Sequence, residues 1–215
     1  NIGNLLTILS ELYPNAYVII ADDGSSDNTQ RVVMSFSRKN KNITLLDRTS
    51  EKVKGLTASV ADGIKNVKTK FFVVIDSDLQ HPPEKIKEFY SNLNNGASIV
   101  VGTRTKDLSG WHIHRRAISK VALGLGRLRL KIGGAYCKDV VSGFFGADTR
   151  LVQQLIKDKP SIFEGEGYKV LFDILKKLPR STAVSEVYYE FGLRSKGASK
   201  INNRVIRAYI RSLFR

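Results

Sequence analysis

The chain has 215 residues, of which 42% are hydrophobic and 26% are charged, so it can form one domain with a substantial apolar core. Its formal net charge of +15 favours anionic partners such as nucleic acid, phosphorylated small molecules or an acidic membrane surface. The single cysteine, Cys137, excludes an internal disulfide, and no apolar run reaches the roughly 18 to 20 residues that span a bilayer.

Strand-like and helical patterns alternate along the first half of the chain. Apolar residues at helical spacing predict helices at 2–12, 29–38, 56–67 and 83–93. Continuous apolar runs predict strands at 16–21, 43–46, 71–75 and 98–101. Because continuously apolar strands are buried on both faces, the pattern predicts an α/β fold with a mostly parallel sheet flanked by helices.

After residue 101 the alternation breaks and the chain becomes strongly basic. Between Arg104 and Lys138 the only acidic residue is Asp107. A short strand-like run, SGFFGAD, follows at 142–148, and then come a helical pattern near 168–178 and a last strand near 183–191. We therefore divide the chain into one α/β domain over residues 1–200 and a C-terminal helix over residues 201–215.

The C-terminal helix is predicted to be basic and amphipathic. Its apolar face consists of Ile201, Val205, Ile206, Tyr209, Ile210, Leu213 and Phe214. Its basic face consists of Lys200, Arg204, Arg207, Arg211 and Arg215. Such a helix can lie in an anionic membrane interface, pack on its own domain, or lead into transmembrane segments beyond Arg215.

Polar side chains follow several of the predicted strands where each strand ends. The three groups are Asp22 with Asp23, Asp76 with Asp78, and Arg104. The carboxyl ends of parallel strands are where open α/β sheets bind ligands, although each group alone could equally be a turn or a helix cap. With Gln80, Asp76 and Asp78 form an all-oxygen set that suits Mg²⁺ or Mn²⁺. The neighbouring His81 is predicted to be a surface residue.

Six segments together resemble a known family. They are ADDGSSDNT, DSDLQHPPE, VVGTR, HRRAIS, DVVSGFF and FGLRSKGASK. In this order they are similar to the inverting glycosyltransferases of the GT-A fold, and most of all to the dolichyl-phosphate mannosyltransferases, also called polyprenyl-phosphate sugar synthases. Two departures stand out. The family's first strand is missing ahead of the first helix, as if both ends were cut from a longer chain, and Phe145 replaces a common arginine.

The resemblance implies a single GT-A-like catalytic domain over residues 1–200 and a role for each residue on its donor side. The implied contacts to a nucleotide-sugar donor are Asp22, Asp23, Asp76, Arg194 and Lys200. Asp22 and Asp23 would face the nucleoside, and Arg194 and Lys200 would close over the donor phosphates. The implied ligands of the Mg²⁺ or Mn²⁺ ion at the donor diphosphate are Asp76, Asp78 and Gln80.

The resemblance also implies an acceptor side. Arg104, Arg115 and Ser119 would meet the phosphate of a polyprenyl phosphate, and together with Asp78 they form the implied catalytic set. A phosphomonoester has a second pKa near 6 and is largely ionised at pH 7. Its oxygen can therefore attack the sugar without a strong base from the enzyme, in one displacement with inversion.

The expected function is thus hexose transfer at a membrane surface, with GDP-mannose as donor and dolichyl phosphate as acceptor. The catalytic domain is expected on the cytoplasmic side of an anionic membrane, without a nucleic-acid partner, and no oligomeric state is predicted. UDP-glucose is the alternative donor. Two other classes stay open: a basic nucleic-acid-binding domain, which lacks a recognisable reading motif, and a glycosyltransferase-like scaffold without activity.

Overall fold

The structure is a computed structural model and describes residues 1–105, 113–159, 163, 169–192 and 212–213, with the backbone alone for 113–122. The helices of these residues are α1 (Ile2–Leu12), α2 (Thr29–Lys39), α3 (Leu56–Lys65), α4 (Ile86–Asn94), α5 (Ile113–Gly133), α6 (Thr149–Asp158) and α7 (Val170–Lys177). The strands are β1 (Val18–Asp22), β2 (Ile43–Asp47), β3 (Phe71–Val74), β4 (Ile99–Thr105), β5 (Phe145–Asp148) and β6 (Val184–Glu190). A single 3₁₀ turn, Pro83–Lys85, leads into α4.

Each helix and strand expected from the sequence within these residues is present, with ends that differ by a few positions. Helices α5 and α6 were not predicted. The sequence of α5 contains Gly124, Gly126 and Gly133, which weaken helical propensity and obscure the pattern in a basic segment. Helix α6 begins where Asp148 accepts a hydrogen bond from the backbone N–H of Leu151, an ordinary N-cap.

The strands form two sheets in the described part of the chain. Strands β1 and β2 pair in parallel, and the second sheet has the order β3-β5-β4-β6. Strands β4 and β6 are parallel, whereas β5 runs antiparallel to both β3 and β4. The α/β fold is confirmed, and β3, β4 and β6 run in one direction, while β5 is the single strand of the described second sheet that runs against the others. The chain enters β5 from the carboxyl side of β3 and β4, which sets this reversed direction.

Among the residues that the structure describes, no strand ladder joins β1 to β3. The two sheets are connected instead by the packing of helices α1 and α3. Helix α1 contacts α2 and also the turn before α4, where the hydroxyl of Tyr13 donates to the carbonyl of Pro83 at 2.9 Å. Helix α3 contacts β1 as well as α6 and α7. That the family's first strand is missing ahead of α1 stays a prediction.

Most of the buried apolar side chains form one cluster between β3, β4 and β5 and helices α5, α6 and α7. A second cluster, built on Phe89, Phe144 and Tyr189, lies between α4 and the other face of the same sheet. A third joins Ile2 and Val33 to β2. The four-stranded sheet therefore packs apolar residues on both faces.

A buried polar group anchors the C-terminal residues that the structure describes. The ammonium of Lys176 lies 3.0 Å from a carboxylate oxygen of Asp173 and 2.9 Å from the hydroxyl of Ser212, which itself donates to Asp173. Arg129 of α5 donates to the carbonyl of Leu213 at 3.1 Å, and the Leu213 side chain lies in the main core cluster.

These contacts bear on the predicted amphipathic helix. Residues 201–211 and 214–215 lie outside the described residues, so the helix stays a prediction. Leu213, which was assigned to its apolar face, packs on the domain itself. None of the helices in the described ranges is both long and apolar enough to cross a bilayer.

We predict that Lys176→Met lowers the free energy of unfolding by about 3–5 kcal/mol, because it leaves the buried Asp173 without its cation. The double variant Lys176→Met/Asp173→Leu should recover most of that loss, since both charges are gone. Lys157→Met on the exposed face of α6 is the control and should change stability by less than about 0.5 kcal/mol. Urea denaturation measures all three variants, and an unchanged midpoint for Lys176→Met would contradict the prediction.

Candidate active site

Three strands of the second sheet end at one edge, where β3 and β4 contribute polar side chains and β6 contributes backbone groups. Asp76 follows the end of β3 by two residues, Arg104 is the next-to-last residue of β4, and Gly192 follows β6 by two residues. Because β3, β4 and β6 run in the same direction, their carboxyl ends meet at this edge. The structure thus brings the predicted Asp76, Asp78, Gln80 and Arg104 to one place.

Residues 76–80, which we call the carboxylate turn, lie at this edge and form hydrogen bonds with the chain just after β6. Leu79 has a φ of 63°, a left-handed conformation that a leucine rarely adopts. The backbone N–H of Gln80 donates to Asp78 Oδ1 at 3.1 Å. Gln80 also makes two 3.0 Å hydrogen bonds with Gly192, one from its side-chain Nε2 and one to its own carbonyl. The end of β6 therefore fixes the turn that carries the two carboxylates.

His81 is buried beneath this turn, so its prediction as a surface residue was wrong. Its ring stacks on Phe144 with centroids 5.2 Å apart and meets Tyr189 and Phe191 edge-on. Burial lowers the pKa of His81 to about 4, so the ring is neutral at pH 7 and does not form an ion pair with Asp76. Its Nδ1 instead accepts from the backbone N–H of Asp76 at 3.4 Å.

Arg104 forms a two-pronged ion pair with Asp139, a residue that sequence reasoning missed. Nε lies 2.7 Å from Oδ2 and Nη2 lies 2.9 Å from Oδ1. The guanidinium also stacks over Phe191 at 5.5 Å from the ring centroid. One signal in the sequence could have revealed the pair, because Asp139 is the only acid between Asp107 and Asp148 in a basic segment.

Residues 139–144, which we call the edge loop, cross over Asp76 on their way into β5. A Cβ atom added at Gly143 would lie 3.2 Å from Asp76 Oδ2 and 3.5 Å from His81 Cε1. Ser142 and Gly143 line a small cavity together with Asp76 and with Leu56 and Val60 of α3. The absence of a side chain at position 143 therefore leaves room for one oxygen of the Asp76 carboxylate.

Lys169 also reaches this loop and was missed from the sequence. Its Nζ donates to the carbonyl of Val141 at 3.0 Å. Burial and the positive charge of Arg104 lower the pKa of Lys169 to about 7, against the opposing influence of Asp139 and Asp76. A lysine one residue before a helix carries no pattern that distinguishes it from an ordinary surface lysine.

Asp22 and Asp23 are held by their own loops. Burial raises the pKa of Asp22, but hydrogen bonds from Ser25, Gln30 and Gly24 outweigh it and leave this pKa below its usual value. The Asp23 carboxylate accepts from the backbone N–H of Gly55 at 2.7 Å and pairs with Arg48.

Arg48 extends that network from β1 to α3. It is buried and also bonds to Asp62 at 2.9 Å, to the Ser59 hydroxyl at 3.0 Å and to the carbonyl of Val53 at 2.8 Å. Four partners on one guanidinium fix the loop between β2 and α3. The turn alternative therefore describes Asp22, which accepts from the N–H groups of Gly24 and Ser25, but not Asp23, whose partners Arg48 and Gly55 lie far along the chain. Contact of either residue with a nucleoside stays a prediction.

The remaining predicted site residues are not tested by side-chain geometry. Arg115 and Ser119 lie on α5, four residues and about one helical turn apart, in the part described by its backbone alone. Arg194 and Lys200 fall outside the described residues.

The donor set of the carboxylate turn fits a hard divalent ion. Among the residues that the structure describes, no three Asp, Glu, His or Cys side chains converge, so the set remains two carboxylates and an amide. The Asp76 side chain is 37% exposed. Mg²⁺ and Mn²⁺ accept such oxygen ligands and complete their shells with water and phosphate oxygens.

Comparison with known proteins agrees with this geometry. Residues 1–156 match the model of glycosyl transferase family 2. A dolichol-phosphate mannosyltransferase of Pyrococcus furiosus is 36% identical over 94% of this chain and 55% of its own length. One of Mycosarcoma maydis is 32% identical over 99% of this chain and 73% of its own length. The chain thus spans little more than half of the first relative.

Solved structures show the same fold. Glucosyl-3-phosphoglycerate synthase of Mycobacterium tuberculosis superposes with a TM-score of 0.63 at 16% identity, over 99% of this chain and 74% of that one. The same enzyme has been crystallised with Mn²⁺ and uridine diphosphate, in a structure with a TM-score of 0.55. The fold and the sequence matches define a glycosyltransferase with a GT-A-like domain. More particularly, the chain belongs to glycosyl transferase family 2.

We predict that Gly143→Ala weakens Mn²⁺ binding roughly tenfold, because the new methyl group presses on the Asp76 carboxylate and turns a ligand away from the ion. Gly63→Ala is the matched control, since a Cβ there meets nothing within 4 Å and alanine favours the helix α3. Titration followed by the electron paramagnetic resonance of free Mn²⁺ measures both variants. Equal affinities in the two variants would contradict the placement of Gly143.

Proposed function

We propose that the protein transfers mannose from GDP-mannose to a polyprenyl phosphate such as dolichyl phosphate, with inversion at the sugar. The relatives at 36% and 32% identity are named dolichol-phosphate mannosyltransferase, which supports mannose as the sugar and dolichyl phosphate as the acceptor, while GDP as the nucleotide is our proposal. The observation that carries the proposal is the meeting of Asp76 and Asp78 with Arg104 and Lys169 at one sheet edge. Charge that builds up on phosphate oxygens is stabilised by a metal ion and by donors aimed at it, and this edge offers carboxylates for the ion and two basic side chains as donors.

In this proposal Asp76, Asp78 and Gln80 hold Mg²⁺ or Mn²⁺, which when bound neutralises charge on the departing nucleoside diphosphate. Gln80 would ligate through Oε1, because its Nε2 donates to Gly192. Asp22 and Asp23 bind the nucleoside, and the bonds of Asp23 to Arg48 and Gly55 keep that carboxylate in one orientation. Arg194 and Lys200 bind the donor phosphates.

The acceptor phosphate is the nucleophile. One of its oxygens forms the bond to the anomeric carbon while the bond from that carbon to the diphosphate breaks, and the diphosphate leaves with the electron pair. Arg104, Arg115 and Ser119 orient the acceptor phosphate and balance its charge. The chain needs no base for this step, because a phosphomonoester is already largely ionised at pH 7.

A membrane surface is the natural place for such an acceptor, and helix α5 offers a face that suits it. Leu125, Leu128 and Ile132 are 45%, 58% and 72% exposed, and their spacing puts them on one side of the helix. Lys131 and Tyr136 are exposed beside them. We propose that this apolar face and its basic neighbours contact an anionic leaflet, with the domain on the cytoplasmic side.

The donor is tested by incubating the protein with Mn²⁺, a polyprenyl phosphate and either labelled GDP-mannose or labelled UDP-glucose. Mannosyl transfer that EDTA stops is expected, and preferential use of UDP-glucose would overturn the choice of donor. Asp78→Ala should lose at least about a hundredfold in rate, since it removes a metal ligand. Asp158→Ala, at an exposed carboxylate of α6, is the control and should keep the wild-type rate.

The membrane face is tested by flotation with anionic vesicles across a salt series. We expect part of the wild-type binding to resist high salt, because burying each leucine or isoleucine contributes about 1.5–3 kcal/mol. Leu128→Ser/Ile132→Ser should lose the salt-resistant part and keep the attraction at low salt. Met34→Ser at an exposed position of α2 is the control. Binding to DNA should be weak and fully reversed by salt, and unchanged flotation of the double variant would contradict this face.

A further inference from the structure

Two basic side chains hold the edge loop at separate points. Arg104 of β4 binds the Asp139 carboxylate at the start of the loop, at 2.7 and 2.9 Å. Lys169 binds the Val141 carbonyl in the middle, at 3.0 Å. Only Ser142, Gly143 and Phe144 lie between Val141 and β5. Gly143 is therefore two residues from the carbonyl that Lys169 binds.

The segment that Lys169 controls is the one that touches Asp76. A Cβ at Gly143 would come within 3.2 Å of Asp76 Oδ2, so a small displacement of the loop changes the space for this carboxylate. On its far side the segment is fixed by sheet hydrogen bonds, since the backbone N–H of Gly102 donates to the Phe144 carbonyl at 2.8 Å. The Ser142 hydroxyl also bonds to the backbone of Phe144, so the segment is fixed locally on this side, and Lys169 is the side chain of another element that binds it at Val141.

Lys169 is itself rigidly placed. It precedes α7, whose Val170, Leu171 and Phe172 are buried in the main core cluster. Burial penalises the ammonium form of Lys169, and its interactions with Asp139 and Asp76 offset only part of that cost. Charged or neutral, the amine can donate a hydrogen bond to the Val141 carbonyl, which an apolar side chain cannot do.

We propose that Lys169 is a positioning residue for the metal and diphosphate site, acting by holding the Val141 carbonyl so that Gly143 sets the orientation of the Asp76 carboxylate. The proposal rests on the proposed function only in its assignment of Asp76 to the metal. The contact of Lys169 with the edge loop is independent of which sugar or lipid the protein uses.

The direct test is amide hydrogen exchange of the edge loop in Lys169→Met, Lys169→Arg and Lys157→Met. Loss of the hydrogen bond to the Val141 carbonyl should make the amides of residues 142–144 exchange roughly tenfold faster in Lys169→Met. Lys169→Arg keeps a donor and should lie closer to wild type, and the exposed Lys157→Met should not differ from it. Unchanged exchange in Lys169→Met would overturn the proposal.

Mn²⁺ affinity separates positioning from a general loss of stability. Folded Lys169→Met should bind Mn²⁺ about tenfold more weakly than wild type, with kcat lowered and the KM of the acceptor unchanged. If Lys169→Met melts earlier but binds Mn²⁺ as tightly as wild type, the residue is merely structural and the proposal fails. If wild-type protein binds no Mn²⁺, the metal assignment of the proposed function fails, and loop exchange still decides the contact of Lys169.

Discussion

The antiparallel insertion of β5 between β3 and β4 is the constraint on which the candidate site depends. Phe145, the first residue of β5, pairs with Val74 on one side and with Val101 on the other. Because β5 runs opposite to its neighbours and begins opposite the last residue of β3, the residues before it lie at the edge from which Asp76 and Arg104 emerge. The sheet thereby places a loop over the carboxylate turn without any long excursion of the chain.

Arginine–carboxylate pairs fix the loops at both sheets in the same way. Arg104 holds Asp139 at the second sheet, and Arg48 holds Asp23 and Asp62 at the first. Removal of either partner would leave a desolvated charge, so these pairs oppose alternative loop positions more strongly than they add to stability. At the first sheet, Arg48 also donates to the carbonyl of Val53, and the backbone N–H of Gly55 donates to Asp23. The loop before α3 therefore has two further directional bonds.

The sequence predicted what depends on local pattern and missed what depends on tertiary contacts. Buried strands and the acidic residues after them follow from apolar runs and turn chemistry, so Asp22, Asp76 and Asp78 were found. The reversed direction of β5 was missed because a run such as FFGA has the same composition in either direction. His81 was misplaced because a histidine beside two prolines gives no sign of the three aromatic rings that enclose it.

The anchoring of the C-terminal residues has a mechanical consequence. Lys176 ties Ser212 to α7, Arg129 ties Leu213 to α5, and Leu213 fills the core between these helices. Displacement of residues 212–213 would therefore disturb both helices at once. Because α7 starts directly after Lys169, the helix that binds Ser212 near its C-terminal end also places the lysine that binds the Val141 carbonyl.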